Sequence, residues 1–304
     1  TPQCHAHHLG TYAMVPRHLE DTLSMIRAGM YKPWNERKAA AKDENADARA
    51  GRVSVTKDGI ALVVMSGAFV KGYSKYSEAD TMEARRQIRA HARDEDVRGI
   101  MLVIDSPGGM LAGTEELARD IAMAADSKPV HAHIDDLGAS AAYWAASHAT
   151  FITTNPTAEV GSIGVYAVVT DRSKEAEMQG VEVHVVSTGP LKGAFVPGTE
   201  VTDDQLDTLR GEVMSAHGHF LAAVQRGRGL EGGRLDAVAT GQTWAAERGD
   251  GSGGASAVDL GLVDRVAFFD EAVEILRAES SRRDRLTKAR RAARAAQARQ
   301  RLRQ

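Results

Sequence analysis

Cysteine is nearly missing from this sequence. Cys4 is the only one in 304 residues, so no internal disulfide can form, and a reducing compartment, the cytosol, is the expected setting. No apolar run approaches the ~18 residues that a membrane-spanning helix needs. Thr1-Pro-Gln-Cys-His opens without the basic and apolar stretches of a secretory signal. A membrane partner is therefore not expected. Internal repeats are lacking too. Cys4, His5, His7 and His8 crowd the start, but their spacing fits no paired zinc pattern, so no metal is expected. The turn at 106–109 lacks the Lys-Ser/Thr of a phosphate-binding P-loop. No cofactor is implied.

What is present is an ordinary globular composition, 43% hydrophobic and 26% charged, in a chain long enough for one large domain or two smaller ones. The net charge of −3 conceals an asymmetry. Residues 282–304 hold ten Lys/Arg and one acid, Asp284, a charge of +9; the other 28 bases and 40 acids leave residues 1–281 at −12. Such a tail is expected to dock on an acidic protein surface, a partner's or a second copy's. No aromatic residue interleaves its arginines, so specific nucleic-acid binding is not expected.

Three regions are expected. Residues 1–50 read as a leader and linker, with one amphipathic helix on Leu19, Leu23, Ile26 and Met30. Residues 51–278 read as the core domain and 279–304 as a basic helical tail. The core opens on a hairpin, with Val53–Val55 and Ile60–Met65 flanking Lys57-Asp-Gly59. Helices at 80–92 and 112–126 then alternate with strands at 99–105 and 130–135. A helix opens at Ser140, and strands are expected at 150–153, 165–169 and 181–186. Thr202-Asp-Asp-Gln205 is a capping box for a long helix, and 249–254 is a glycine-rich loop. The alternation predicts an α/β fold with a largely parallel sheet.

Two segments carry chemistry. Ile104-Asp-Ser-Pro-Gly-Gly109 turns from a buried strand through two glycines whose bare backbone N–H groups can face a substrate. Gly138-Ala-Ser-Ala-Ala-Tyr-Trp144 places Ser140 where a strand meets a helix of small residues. A donor-lined turn beside a serine is the equipment of acyl transfer. Serine needs a base. One route is a histidine: His148 lies eight residues on, while His131, His133 and His184 fall on expected strands. The other is a lysine kept neutral by burial, for which Lys192, between Leu191 and Gly193-Ala-Phe195, is the candidate.

Ser-Pro-Gly-Gly at 106–109, Gly-Ala-Ser-Ala-Ala-Tyr at 138–143, Gly-Ser-Ile-Gly-Val at 161–165 and Gly-Pro-Leu-Lys-Gly at 189–193 resemble the signature blocks of signal peptide peptidase A and its relatives. Gly241-Gln-Thr-Trp244 and Ala257–Asp264 are similar to the family's closing block. The resemblance, over about residues 52–275, implies a serine–lysine peptidase on the ClpP/crotonase fold. It implies Ser140 as nucleophile, Lys192 as general base, Ser162 as the hydroxyl that holds the lysine amine, and the N–H groups of Gly108 and Ala141 as the oxyanion hole. Ser140-Ala141-Ala142 departs from the Ser-Gly-Gly of many cellular members. The resemblance is greatest to the capsid-maturation proteases of tailed phages, which implies scaffold, portal or self as substrate, a homo-oligomer, and a place in host cytoplasm within a procapsid. The alternatives are a cellular signal-peptide peptidase, an acyl-CoA enzyme of crotonase type and a non-catalytic scaffold protein.

Overall fold

The structure, a computed structural model, describes residues 12–14, 55–72, 79–247 and 254–301. The expected leader helix at 19–30 and nearly all of the glycine loop at 249–254 lie outside them. The chain begins with β1 (Tyr12–Met14), β2 (Ile60–Ser66), α1 (Thr81–Arg93), β3 (Gly99–Ser106) and β4 (Gly108–Met110). It continues through α2 (Thr114–Ser127), β5 (Val130–Ala139), α3 (Ala141–Ala146), β6 (Phe151–Thr154) and β7 (Glu159–Gly161). After α4 (Ser173–Met178) come α5 (Asp203–Arg228), α6 (Gly233–Val238), β8 (Thr243–Ala245), β9 (Arg265–Val266) and α7 (Phe269–Arg301).

The fold is α/β with a largely parallel sheet, as the alternation predicts. Strands β2-β3-β5-β6-β9 pair in parallel; β7 continues alongside the end of β5, and β8 closes antiparallel on β7. Parallel strands are covered on both faces, so they read as continuous apolar runs. β3 shows it, with Ile100, Met101, Leu102 and Ile104 all fully buried. Among the described residues the expected hairpin survives as a single bridge, Val55 to Ala61, closed by Gly59 at φ 77°. α1 starts where Asp80 accepts from the N–H groups of Met82 (2.8 Å) and Glu83 (3.3 Å). The Thr202/Gln205 capping box forms as expected, and α5 ends on Gly229 at φ 64°.

The other face of the sheet is closed by α7, whose Ala272 and Leu276 pack on Ile60 and Met101. Arg277 pairs with Asp58, and Arg98 with Asp284. Arg283 donates to the carbonyl oxygens of Ala125 and Asp126. α7 is one helix, so the boundary expected at 279 falls inside it, beside the buried Ser280.

Beneath α7 lie two buried histidines. His131 Nε2 meets Glu279 at 2.6 Å, and His133 Nδ1 meets Thr153 Oγ1 at 3.0 Å. Burial holds both imidazoles below their ordinary 6.5, against the opposing pull of Glu279 on His131 and Asp135 on His133. The unfolded chain therefore takes up these protons first as the pH falls. Stability that is complete above about pH 6.5 is expected to drain away below it. Thermal melts between pH 8 and 5 check this, with the slope below 6.5 shallower in His133→Gln.

Two expected strands do not form. Residues 165–169 contain only an isolated bridge position at Tyr166, and 181–186 have no strand at all. The Val181-Glu-Val-His-Val185 alternation carries a strand pattern, but among the described residues no neighbouring strand offers it N–H and C=O partners. Val181, Val185 and Val186 remain exposed, Val186 at 98%. No described helix is long and apolar enough to cross a membrane.

Candidate active site

Ser140 sits at an elbow between β5 and α3, with φ 56° and ψ −121°. A non-glycine residue in that region costs on the order of 1–3 kcal/mol and persists only where its surroundings enforce it. The enforcement is visible. Ala139 pairs with Gly161, the Ser140 N–H donates to the Gly161 carbonyl at 2.7 Å, and Trp144 N–H donates back to the Ser140 carbonyl at 2.8 Å. A Cβ at Gly138 would lie 2.6 Å from Ile134 Cδ1, so only glycine lets the strand reach the elbow this way. α3 is Ala-Ala-Tyr-Trp-Ala-Ala with every residue buried, its small side chains letting it sit inside the core. The Ser140 hydroxyl is buried and has no hydrogen-bond partner among the described residues.

The glycine turn lies alongside. Ser106 is in register with Gly138 after an irregularity in the β3–β5 pairing, which turns the chain out of the sheet into Pro107-Gly108. Gly108 has φ 94°, and its N–H donates to Ser106 Oγ at 3.1 Å. The Ala141 N–H has no partner among the described residues. An N–H met only by a rotatable hydroxyl and one that is wholly free are the donors that a tetrahedral oxyanion requires.

Ser162 follows Gly161 directly, which brings it to the same end of the sheet as Ser140. It is buried at φ 50°, its N–H held by the Gln242 carbonyl at 2.7 Å. Lys192 makes no hydrogen bond to the Ser140 hydroxyl. It lies on the exposed segment after 186, where its amine makes no hydrogen bond or ion pair among the described residues. None of the histidines considered from the sequence serves in its place. His148 Nδ1 faces the Trp144 carbonyl and Ser147 Oγ, both at 3.2 Å; His131 and His133 lie under α7, and His184 faces Glu182 on the surface.

Some supporting residues were not singled out from the sequence. Ser106 covers the Gly108 donor, and the carbonyls of Gly161 and Gln242 hold the two positive-φ serines. Their signal was present, since each lies in one of the glycine blocks. Behind α3, Tyr143 Oη donates to the Leu262 carbonyl at 2.9 Å, and burial pushes the phenol well above its ordinary pKa, which keeps it a donor. Arg228 grips Asp264 with two bonds, 2.8 and 3.0 Å, and Asp264 also accepts from the Ile152 N–H. No group of three or more His, Cys, Asp or Glu able to hold a metal occurs among the described residues.

A buried hydroxyl on a strained elbow, followed directly by the Ala141 N–H that no described residue engages, is the arrangement of a hydrolase-type site. The chain belongs to peptidase family S49, whose model matches residues 122–282. It is similar to Protease 4 of Haemophilus influenzae, 30% identical over 217 residues, 70% of this chain and 34% of that protein. It is also similar to Capsid assembly protease C of Escherichia phage lambda, 32% identical over 246 residues, 79% of this chain and 54% of that one. The chain thus spans between a third and about half the length of these relatives. Among solved structures, ThnE from S. clavuligerus covers 75% of this chain and 85% of its own at 19% identity and a TM-score of 0.43.

Proposed function

We infer that the chain is a serine endopeptidase with a Ser–Lys dyad that acts on protein substrates in phage capsid assembly or maturation. The observation that carries the chemistry is the Ser140 hydroxyl, buried and unpartnered at an enforced φ of 56°. A structural serine would bond to a neighbouring carbonyl, as Ser147 Oγ does to Trp144. In the proposed reaction Ser140 Oγ adds to the scissile carbonyl and its proton passes to the neutral amine of Lys192. The Gly108 and Ala141 N–H groups hold the oxyanion, the Ser106 hydroxyl having turned away. The lysine then gives its proton to the leaving nitrogen, and water cleaves the acyl ester by the same route reversed. Ser162 is assigned the orienting of the lysine amine.

Lys192 must be desolvated to act, and its surroundings support that happening in an assembly. Val181, Val185, Val186 and Leu191 expose apolar side chains on the same arm, a surface suited to burial against another copy of this chain. We assign the active form to a homo-oligomer in which that arm is covered and Lys192 reaches a Ser140. The capsid role rests on the similarity to the phage lambda protease across 79% of this chain.

Incubation with a fluorophosphonate, followed by intact-mass and peptide analysis, tests the reading. One adduct on Ser140, accompanied by fragments of an unfolded protein substrate, is the expected result. The adduct is expected to be lost in Lys192→Met. A folded chain that neither labels nor cuts would leave a non-catalytic assembly protein as the better reading.

A further inference from the structure

β4 is three residues long, and both of its edges are occupied. On one side Phe69 N–H donates to the Gly108 carbonyl at 2.7 Å, and Met110 N–H donates to the Phe69 carbonyl at 2.8 Å. A Cβ on Gly109 would lie 2.1 Å from the Phe69 carbonyl oxygen, so the glycine permits this close approach. The other edge carries β1, antiparallel, with Tyr12 opposite Met110, Ala13 opposite Gly109 and Met14 opposite Gly108. This pairing joins segments some ninety residues apart, and β1 touches no other strand of the sheet.

The place where β1 lies is chemically significant. Gly108 is the residue whose N–H we assign to the oxyanion, and the strand laid along β4 has Met14 in register with it. Strand addition to a free edge is a general way to hold a peptide, because the backbone bonds are independent of sequence. We propose that Tyr12–Met14 is an intramolecular ligand of the substrate groove, holding the β4 edge in the manner of a peptide substrate and competing with peptides from outside. This rests on the peptidase reading above for the identity of the groove, although occupancy of the edge can be tested without catalysis.

The consequence is a groove that is closed in cis. An outside peptide binds only in proportion to the fraction of molecules whose β1 has left, so its apparent affinity falls by that fraction. Releasing β1 should restore it. Proline at position 13 does so selectively, since it removes the N–H opposite Gly109 and cannot join a ladder.

The test uses the full chain carrying Ser140→Ala, which separates binding from turnover. A fluorescein-labelled peptide with the sequence of residues 9–17 is titrated by fluorescence polarisation into that chain and into one that also carries Ala13→Pro. The expected result is at least tenfold tighter binding to the second chain, with loss of binding by a peptide bearing proline at its own position 13. Equal affinity for both chains, or equal binding of both peptides, overturns the proposal. A measurement that needs no change at position 13 is amide exchange at Gly109 in the unaltered chain. Slow exchange supports occupancy by β1, and exchange at the rate of an open edge refutes it. Should binding behave as expected while the Ser140 chain cuts nothing, the strand docking stands and the peptidase reading falls. Hydrolysis with flat binding keeps the peptidase reading and removes the strand docking.

Discussion

Replacing Ser140 by alanine is expected to lower the rate of peptide hydrolysis by about 10⁶, the scale found when a serine nucleophile with an intact oxyanion hole is removed. The basis is local. Ser140 is the buried hydroxyl at the elbow, and it immediately precedes the Ala141 N–H. Alanine keeps the backbone, so the fold and peptide binding should persist, and circular dichroism with a labelled-peptide titration checks both. Lys192→Ala is expected to fall nearly as far, and the double variant no further than Ser140→Ala alone. Groups that act as one unit lose their function once. That non-additivity is the informative part. If Lys192 were only a solvated loop residue, Lys192→Ala would stay within about twofold of wild type and the base would have to be sought elsewhere.

The parts of this fold that could be read in the sequence are those fixed by nearby residues. β3 announces itself because Gly99-Ile-Met-Leu-Val-Ile104 is apolar without interruption, and α1 because Asp80 precedes a helical run. The elbow is equally local, since a strand that must end in a helix of alanines leaves only Ser140 at the junction. What could not be read depends on partners far away or absent. Val181–Val186 has the alternation of a strand, but alternation describes one face of a strand and says nothing of what pairs with its edges. Here nothing among the described residues does. The β1–β4 pairing is illegible for a related reason, since three residues with ordinary side chains meet another three some ninety positions later. The Ser106–Gly108 bond is a matter of rotamer, and no sequence pattern specifies one. The exposure of Lys192 belongs to the same class, because what packs against an amine is not set by its neighbours in sequence.

Trp144→Ala is expected to be the most damaging change to stability among the residues around the site, costing about 3–5 kcal/mol. The indole is 1% exposed and stacks on Phe220 of α5, with ring centroids 4.7 Å apart at an interplanar angle of 15°. It is the largest side chain of α3, and it lies one turn beyond Ser140. The two helices cannot close the gap by moving together. A Cβ at Gly227 would already fall 2.0 Å from the Ser147 carbonyl oxygen, so the backbones of α3 and α5 are in contact there. The cavity would therefore remain largely open, which puts the cost at the upper part of that range. For a chain of this size the melting temperature should drop by roughly 10 °C. Met123→Ala on α2, where the side chain is 58% exposed, should change stability by less than about 0.5 kcal/mol and serves as the control. Activity should follow the packing as well. Trp144 N–H bonds to the Ser140 carbonyl and the stack fixes the axis of α3, so a shift of about 1 Å at the elbow would lower kcat on the order of 10²-fold in the molecules that remain folded. A melting temperature unchanged within a degree would show that the Trp144–Phe220 stack does not hold α3, and the elbow would then be enforced by the Gly161 hydrogen bond alone.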